Sequence, residues 1–315
     1  MTDFAIVESE PSLFRERLNR AHFAFRHRLA GHPLFELPRL IELCERIRKS
    51  DRPGGLAVFG AGSGSPRGRP IEAACERDLA DLIGELPTGD KRLRLSGAQH
   101  YDDDYRALHD QILSEIDKLS GFGLRGEIGW SSMTILLSSP EMVTPYHMDH
   151  QSNLLFQITG HKKICIFDPN DRQVLTEAAI EEYYGGDKHG AEYQDSLQGK
   201  GADYELIPGA AVHNPPLGPH WVKNGTDVSV SMSINYSLRE SEHRARVYQV
   251  NRYLRRLGLA PLPPGRSSLR DWMKRQPFEI LSHARPGSLE ELLRTGPGRL
   301  MRPIASFRQR WRNPL

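Results

Sequence analysis

An antiparallel β-sandwich or barrel with helical additions at both ends is the fold class that the sequence predicts. From about Met133 the chain breaks into the short β-rich runs MTILLSS, NLLFQI, KICIFDP, YELIPG and DVSVSMSINY. Turn chemistry such as TGHK and KNGTD separates them. Short strands that follow one another without intervening helices build an antiparallel sandwich or barrel rather than a parallel sheet. On both sides of this stretch the apolar residues recur at helical spacing.

The N-terminal part reads as helical. PRLIELCERIRKS sets Leu40, Leu43, Cys44 and Ile47 on one face, and Pro38 suits a first helical turn. DDDYRALHDQILSEIDKLSG does the same with Leu108, Ile112, Ile116 and Leu119, with acids at its start and Gly121 just past its end. The Asp102–Asp104 run is better explained by helix N-terminal charge than by a metal. Between the helices, FGAGSGSPRGRP (59–70) is glycine-rich, but no GK[ST] follows and no βαβ unit surrounds it. It is expected to be a flexible connection.

Gly185 to Glu205 reads as a long polar insertion, a kind of loop that is often functional or mobile. After about Ser237 the helical period returns, broken at PLPPG and RPG. The expected organisation is a helical part over 1–125, a β core over 126–237 and a basic helical region over 238–315. From Ser237 onward there are 17 Lys and Arg against 6 Asp and Glu, whereas the preceding residues hold 25 against 34. Leu and Trp interleave with the arginines, which favours packed amphipathic helices and a protein contact over nucleic-acid binding.

With 38% hydrophobic and 26% charged residues, the 315-residue chain can bury a sizeable core. It has no apolar run long enough for a bilayer, and MTDFAIVESE lacks the basic and apolar regions of a signal peptide. The three cysteines are scattered without a CxxC pair, which argues against a disulfide framework or a cysteine zinc site. A cytoplasmic location is expected.

The chemistry concentrates in TPYHMDHQSNLLFQITGHKK (144–163). His147 and Asp149 are two apart, so a strand would send both side chains to one face. An imidazole and a carboxylate together provide two ligands for a divalent ion. A 2-His-1-carboxylate face is the arrangement of non-haem Fe(II) oxygenases. The pair alone is a weak signal. PGAAVHNPPLGPHWVKNG reads as strand, Pro-rich turn and strand, and offers His213 or His220 as the third ligand. DVSVSMSINY alternates Val228, Val230, Met232, Ile234 and Tyr236 with Ser229, Ser231, Ser233 and Asn235, so the serine face would line a cavity. Lys162 and Lys163 are neighbours on a strand and point to opposite faces, so at least one meets water, and one that faced the barrel interior would need a partner such as a carboxylate on a bound small molecule.

These residues resemble the JmjC-type, cupin-fold oxygenases that use Fe(II) and 2-oxoglutarate. The order Thr144, Pro145, His147, Asp149, Gln151, Asn153, then Gln157, Ile158, Gly160, Lys162, and then Phe167 and Pro169 is most similar to the branch of the asparaginyl hydroxylase that inhibits hypoxia-inducible factor. Pro208 to His220 fits the family's second signature and selects His220 over His213. The chain departs from the pattern at Ala210, where an acid is usual, and at Gly218–Pro219, where a tryptophan pair often stands. The match covers roughly residues 130 to 237.

The resemblance implies a double-stranded β-helix (cupin, jelly-roll) core. It implies iron at His147, Asp149 and His220, and the distal carboxylate of 2-oxoglutarate at Lys162 and Thr144. Asn153 and Asn235 would line the cosubstrate's other end, with His150 and His213 as outer hydrogen-bonding groups. The implied activity uses O2 to hydroxylate a C–H of a protein side chain or small metabolite, with succinate and CO2 as coproducts. A homodimer through the C-terminal helices also follows from it. Two alternatives stand beside this reading: a cupin metalloenzyme without 2-oxoglutarate, and a non-enzymatic ligand-sensing cupin.

Overall fold

A computed structural model describes residues 5–52, 54–60, 79–186 and 192–283. The glycine-rich segment 61–70, Cys75, the RPG break and the rest of the basic tail lie outside these residues. Two compact units are present, one of residues 1–169 and 193–238, the other of 170–192 and 239–314.

The described residues of the first unit form twelve strands. They are β1 (Val7–Glu8), β2 (Phe23–His27), β3 (Leu56–Gly60), β4 (Lys91–Ser96), β5 (Ile128–Ser138), β6 (Val143–His147), β7 (Ser152–Thr159), β8 (Lys162–Ile166), β9 (Ala202–Leu206), β10 (Ala210–Asn214), β11 (His220–Asn224) and β12 (Ser229–Leu238). A large sheet runs β1-β2-β10-β7-β12-β5-β4-β3 and a small one β6-β11-β8-β9, and every pairing is antiparallel. From β5 to β12 the chain alternates between the sheets, apart from the consecutive β8 and β9. That winding is a double-stranded β-helix, the jelly-roll core that the sequence predicts.

Each sheet has two different faces. The outer face of the large sheet carries Leu93, Leu95, Met133, Ile135, Leu154, Phe156, Met232 and Ile234. These pack with residues of α1 (Pro11–Arg17), α2 (Leu37–Lys49) and α4 (Asp103–Ser120) in one buried core. Leu40, Leu43, Cys44 and Ile47 are the buried residues of α2, and Leu108, Ile112 and Ile116 are among those of α4, as their spacing predicts. Asp102 caps α4 by accepting the Asp104 N–H at 2.9 Å and pairs with Arg39 at 2.8 Å, so the acidic run is a helix start. A smaller cluster of Leu155, Ile164, Ile166, Leu206 and Val212 joins the facing sides of the two sheets.

The N-terminal part is not helical alone. It also contributes β1 to β4, which extend the large sheet on both flanks. FAFRH buries every second residue, and KRLRLS alternates Arg92 and Arg94 with Leu93 and Leu95, but Ala24 on the exposed side of the one and the basic residues of the other mask the strand pattern. Part of the expected insertion is likewise a strand, because Ala202–Glu205 lie in β9. Residues 187–191 of that insertion are outside the described set.

The second unit is helical, with α6 (Glu177–Tyr184), α7 (Arg239–Arg256) and α8 (Ser268–His283). Arg255 of α7 binds the buried Glu181 of α6 through Nε at 2.6 Å and Nη2 at 2.9 Å, and Tyr184 stacks on Tyr248 at 5.6 Å. The gap between α7 and α8 contains PLPPG, as expected. No helix among the described residues is long and apolar enough to cross a membrane.

Candidate metal and cosubstrate site

The site begins with an irregularity in β6. His220 pairs with His147 and Val222 pairs with Thr144, so two steps along β11 match three along β6. The extra residue is a bulge at Pro145–Tyr146, where proline has no N–H to leave unpaired. It turns Thr144 and His147 to the same face, which is the barrel interior occupied by His220 and Val222.

Asp149 reaches the site differently from the sequence expectation. β6 ends at His147, so strand alternation does not place the carboxylate. Instead the chain leaves the sheet, and the Asp149 carbonyl accepts the Leu217 N–H at 2.7 Å, which ties this segment to the β10–β11 turn. Asp149 Oδ2 lies 3.6 Å from His147 Nε2, and the His147 and His220 ring centroids are 4.1 Å apart. One ligand atom from each of His147, Asp149 and His220 falls within 4.8 Å of the others.

Hydrogen bonds fix both imidazoles. His147 Nδ1–H donates to the Pro145 carbonyl at 2.8 Å, and His220 Nδ1–H to the Gly218 carbonyl at 3.0 Å. A carbonyl only accepts, so each Nδ1 carries the proton and each Nε2 presents a lone pair. That tautomer is the one metal ligation needs. The Asn214 carboxamide nitrogen sits 3.0 Å from both Gly218 O and His220 Nδ1. A Cβ on Gly218 would come 2.1 Å from Asn214 Oδ1, so this close turn accepts no side chain there. Two neutral imidazoles and a carboxylate are a donor set that fits a divalent first-row metal.

His213, the rival third ligand, is not part of this group. It is fully buried, its Nε2 accepts the Asn19 N–H at 3.0 Å, and its Nδ1–H donates to Asn153 O at 3.0 Å. With both nitrogens engaged it has none to offer a metal, and burial pushes its pKa down to about 3. His150 lies beyond Asp149, half-buried, and outside the triad.

The facing wall of the large sheet carries a row of polar side chains at the level of the triad. Asn214, Asn153, Asn235 and Ser132 are successive register partners across β10, β7, β12 and β5. The Asn153 carboxamide donates to Asn235 Oδ1 and to Ser233 Oγ, both at 2.7 Å. Lower in the barrel, Gln157 Nε2 donates to Ser229 Oγ at 2.9 Å, and Ser231 Oγ donates to Gln157 Oε1 at 2.8 Å. Ser229, Ser231 and Ser233 are all buried, so the serine face of β12 lines the interior.

Lys162 marks the opposite end of the barrel from the triad. The β7–β8 turn depends on Gly160, with φ at 72°, where a Cβ would meet Val228 O at 2.4 Å. Lys162 follows and shares its face with Ile164 and Ile166, while Lys163 points outward to Asp203 at 2.8 Å. Lys162 is 5% exposed and forms no ion pair among the described residues. Burial, reinforced by the charge of Arg92, pushes its pKa down to about 7. Its register partner is Asn224, four residues along β11 from His220 and roughly 13 Å from it at strand spacing.

Sequence reasoning missed Asn214 and Arg92. Asn214 had no signal beyond lying six residues before the distal histidine. Arg92 had one, the alternation of KRLRLS.

No family model matches the chain. Comparison with solved structures finds ycfD of Escherichia coli, at 14% identity and a TM-score of 0.50 over 90% of this chain and 70% of that one. A structure of YcfD, described as a ribosomal oxygenase, in complex with cobalt and 2-oxoglutarate gives 13% identity and a TM-score of 0.48, covering 90% and 69%. The complex with cobalt and succinic acid gives 14% and 0.48, with the same coverage. At this identity the likeness is one of fold, a jelly-roll barrel with helical additions.

Proposed function

We propose that the chain is an Fe(II)- and 2-oxoglutarate-dependent oxygenase. It hydroxylates an unactivated C–H of a protein side chain or small metabolite. One observation carries the reading. Three side chains that could hold a metal ion and a buried lysine without a carboxylate partner among the described residues occupy opposite ends of one barrel interior. Moving a lysine from its ordinary 10.5 to about 7 costs on the order of 5 kcal/mol, a large fraction of a typical domain's net stability.

His147, Asp149 and His220 would hold the iron. Thr144 and Lys162 would receive the distal carboxylate of 2-oxoglutarate, and Asn153 and Asn235 would line the end nearer the metal. Ferrous iron, when bound with 2-oxoglutarate and O2, supplies the oxidant for C–H hydroxylation and leaves succinate and CO2. The protein's own part is to orient these groups and to keep water out. A cupin without 2-oxoglutarate would have no dicarboxylate for Lys162 to meet.

The asparaginyl-hydroxylase branch has motif support in Gln151, Asn153 and Gln157. The substrate rim differs from it, since Gly218 and Ala210 replace the family's usual residues. Tyr193, from the polar insertion, packs its ring 5.5 Å from Tyr146, next to His147, and so borders the substrate mouth in this reading.

The test is calorimetric titration of 2-oxoglutarate into the Mn(II)-loaded protein without oxygen. The reading expects one site per chain that disappears when the metal is removed. Metal uptake without any 2-oxoglutarate binding would favour a different cupin chemistry.

A further inference from the structure

The closed end of the barrel contains a second interior cation. Arg92 on β4 alternates with Leu93 and Leu95, which face the outer core, so its side chain belongs to the interior face. It pairs in register with Ser138 on β5, which pairs with Ser229 on β12, the hydroxyl that Gln157 holds. Arg92 therefore lies in the row that ends at the β7–β8 turn from which Lys162 emerges.

Hydrogen bonds lock the two positions together. Asn224, the register partner of Lys162, donates from Nδ2 to the Ser139 carbonyl at 2.9 Å. Ser139 exchanges bonds with Lys91, its N–H donating to Lys91 O at 2.9 Å and its Oγ accepting the Lys91 N–H at 3.1 Å. The residue beside Arg92 is thus bound to the strand beside Lys162.

The nearby acids are occupied elsewhere. Lys91 pairs with Glu85, Lys163 with Asp203 at 2.8 Å and Lys223 with Glu141 at 2.9 Å. Each lysine around the site has a carboxylate. Lys162 and Arg92 have none among the described residues. The next interior arginine, Arg94, sets its guanidinium 5.0 Å from the Phe59 ring centroid. Two like charges turned toward one interior are unfavourable until an anion joins them.

We propose that Arg92 is a second anchor for the far carboxylate of the 2-oxo acid, and that with Lys162 it sets the charge and length of the cosubstrate accepted. This rests on the oxygenase reading. A guanidinium fork grips a carboxylate bidentately and holds its charge at every working pH, whereas the buried lysine is a point donor. Arg92 fixes the carboxylate's plane and Lys162 completes its neutralisation.

The test compares 2-oxoglutarate with 2-oxobutyrate, which lacks the far carboxylate, by titration into Mn(II)-loaded protein without oxygen. Arg92→Gln is expected to weaken 2-oxoglutarate about tenfold or more and to leave 2-oxobutyrate and Mn(II) affinity unchanged, and Arg92→Lys, which restores the charge without the fork, to recover only part of the loss. A matching thermal melt for each variant separates binding from folding. Should Arg92→Gln bind 2-oxoglutarate as the parent does, or lose both acids equally, the second anchor is wrong and the oxygenase reading stands. If the parent itself binds neither acid with metal present, the oxygenase reading falls and the anchor falls with it.

Discussion

His147 and His220 are direct register partners on adjacent antiparallel strands, with ring centroids 4.1 Å apart. Two imidazolium rings facing this closely would repel each other, whereas two neutral rings can share a cation between them. Their Nδ1–H groups point away, onto the carbonyls of Pro145 and Gly218, so both lone pairs turn toward Asp149.

The Asn214 carboxamide donates to the same Gly218 carbonyl that receives His220 Nδ1–H, so it is expected to matter to metal binding by holding that acceptor in place. Asn214→Ala should reduce Mn(II) affinity by roughly 10- to 100-fold, as loss of an outer hydrogen-bonding partner does. Competition with a chelating dye measures this, and unchanged affinity would show that Gly218 alone orients the ring.

On the oxygenase reading, Lys162 is expected to make 2-oxoglutarate binding depend on pH. In the empty protein its pKa is pushed down to about 7, and a bound carboxylate must raise it. Above pH 7 binding then takes up a proton, so 2-oxoglutarate affinity falls as pH rises and flattens in Lys162→Met. Calorimetry at pH 8 in buffers of different ionisation enthalpy counts the proton. Stability runs the other way. Between about 7 and 10.5 the unfolded chain holds the extra proton, so the empty protein gains stability as pH rises through that window. Lys162→Met should raise its melting temperature near neutrality.

His213 and His27 set a limit on the acid side. Burial pushes their pKa values down to about 3 and about 4, and His27 is held by its bonds to Gln157 O and Ala210 O. Both are neutral in the fold, so the unfolded chain takes up protons first. Stability drops as pH falls below 6.5 and goes on dropping to about 3. His213→Leu should lower the melting temperature by leaving the Asn19 N–H and Asn153 carbonyl without this partner, while Mn(II) still binds. Loss of metal in that variant would return His213 to the site.

On α8, Leu269, Trp272 and Met273 lie at i, i+3 and i+4 and are each at least half exposed. In the proposed homodimer this face is covered by a second chain, so Trp272→Lys should shift sedimentation from dimer to monomer. A parent chain that sediments as a monomer at all concentrations would end that proposal.

Much of the barrel was legible because its two faces have opposite chemistry. β12 alternates serine with Val, Met and Ile, and β7 puts Asn153 and Gln157 on the interior, where these polar groups bond to one another. α2 and α4 were legible from their apolar stripes and from Asp102. The flanking strands were not. In KRLRLS the alternation was present, but arginine on an interior face runs against the expectation that charge meets water. Asp149 does lie beside the two histidines, but a turn and the Leu217 bond place it there rather than strand alternation. The β6 bulge, which brings Thr144 round to the side of His147, had no sequence signal except Pro145.

The most direct measurement is the visible spectrum of the Fe(II)-loaded protein when 2-oxoglutarate is added without oxygen. Chelation at a facial-triad iron is expected to give a weak charge-transfer band, absent in His147→Ala and appearing only at higher 2-oxoglutarate in Lys162→Ala. Iron that binds without producing the band would contradict the account, because the triad and the lysine would then not belong to one site.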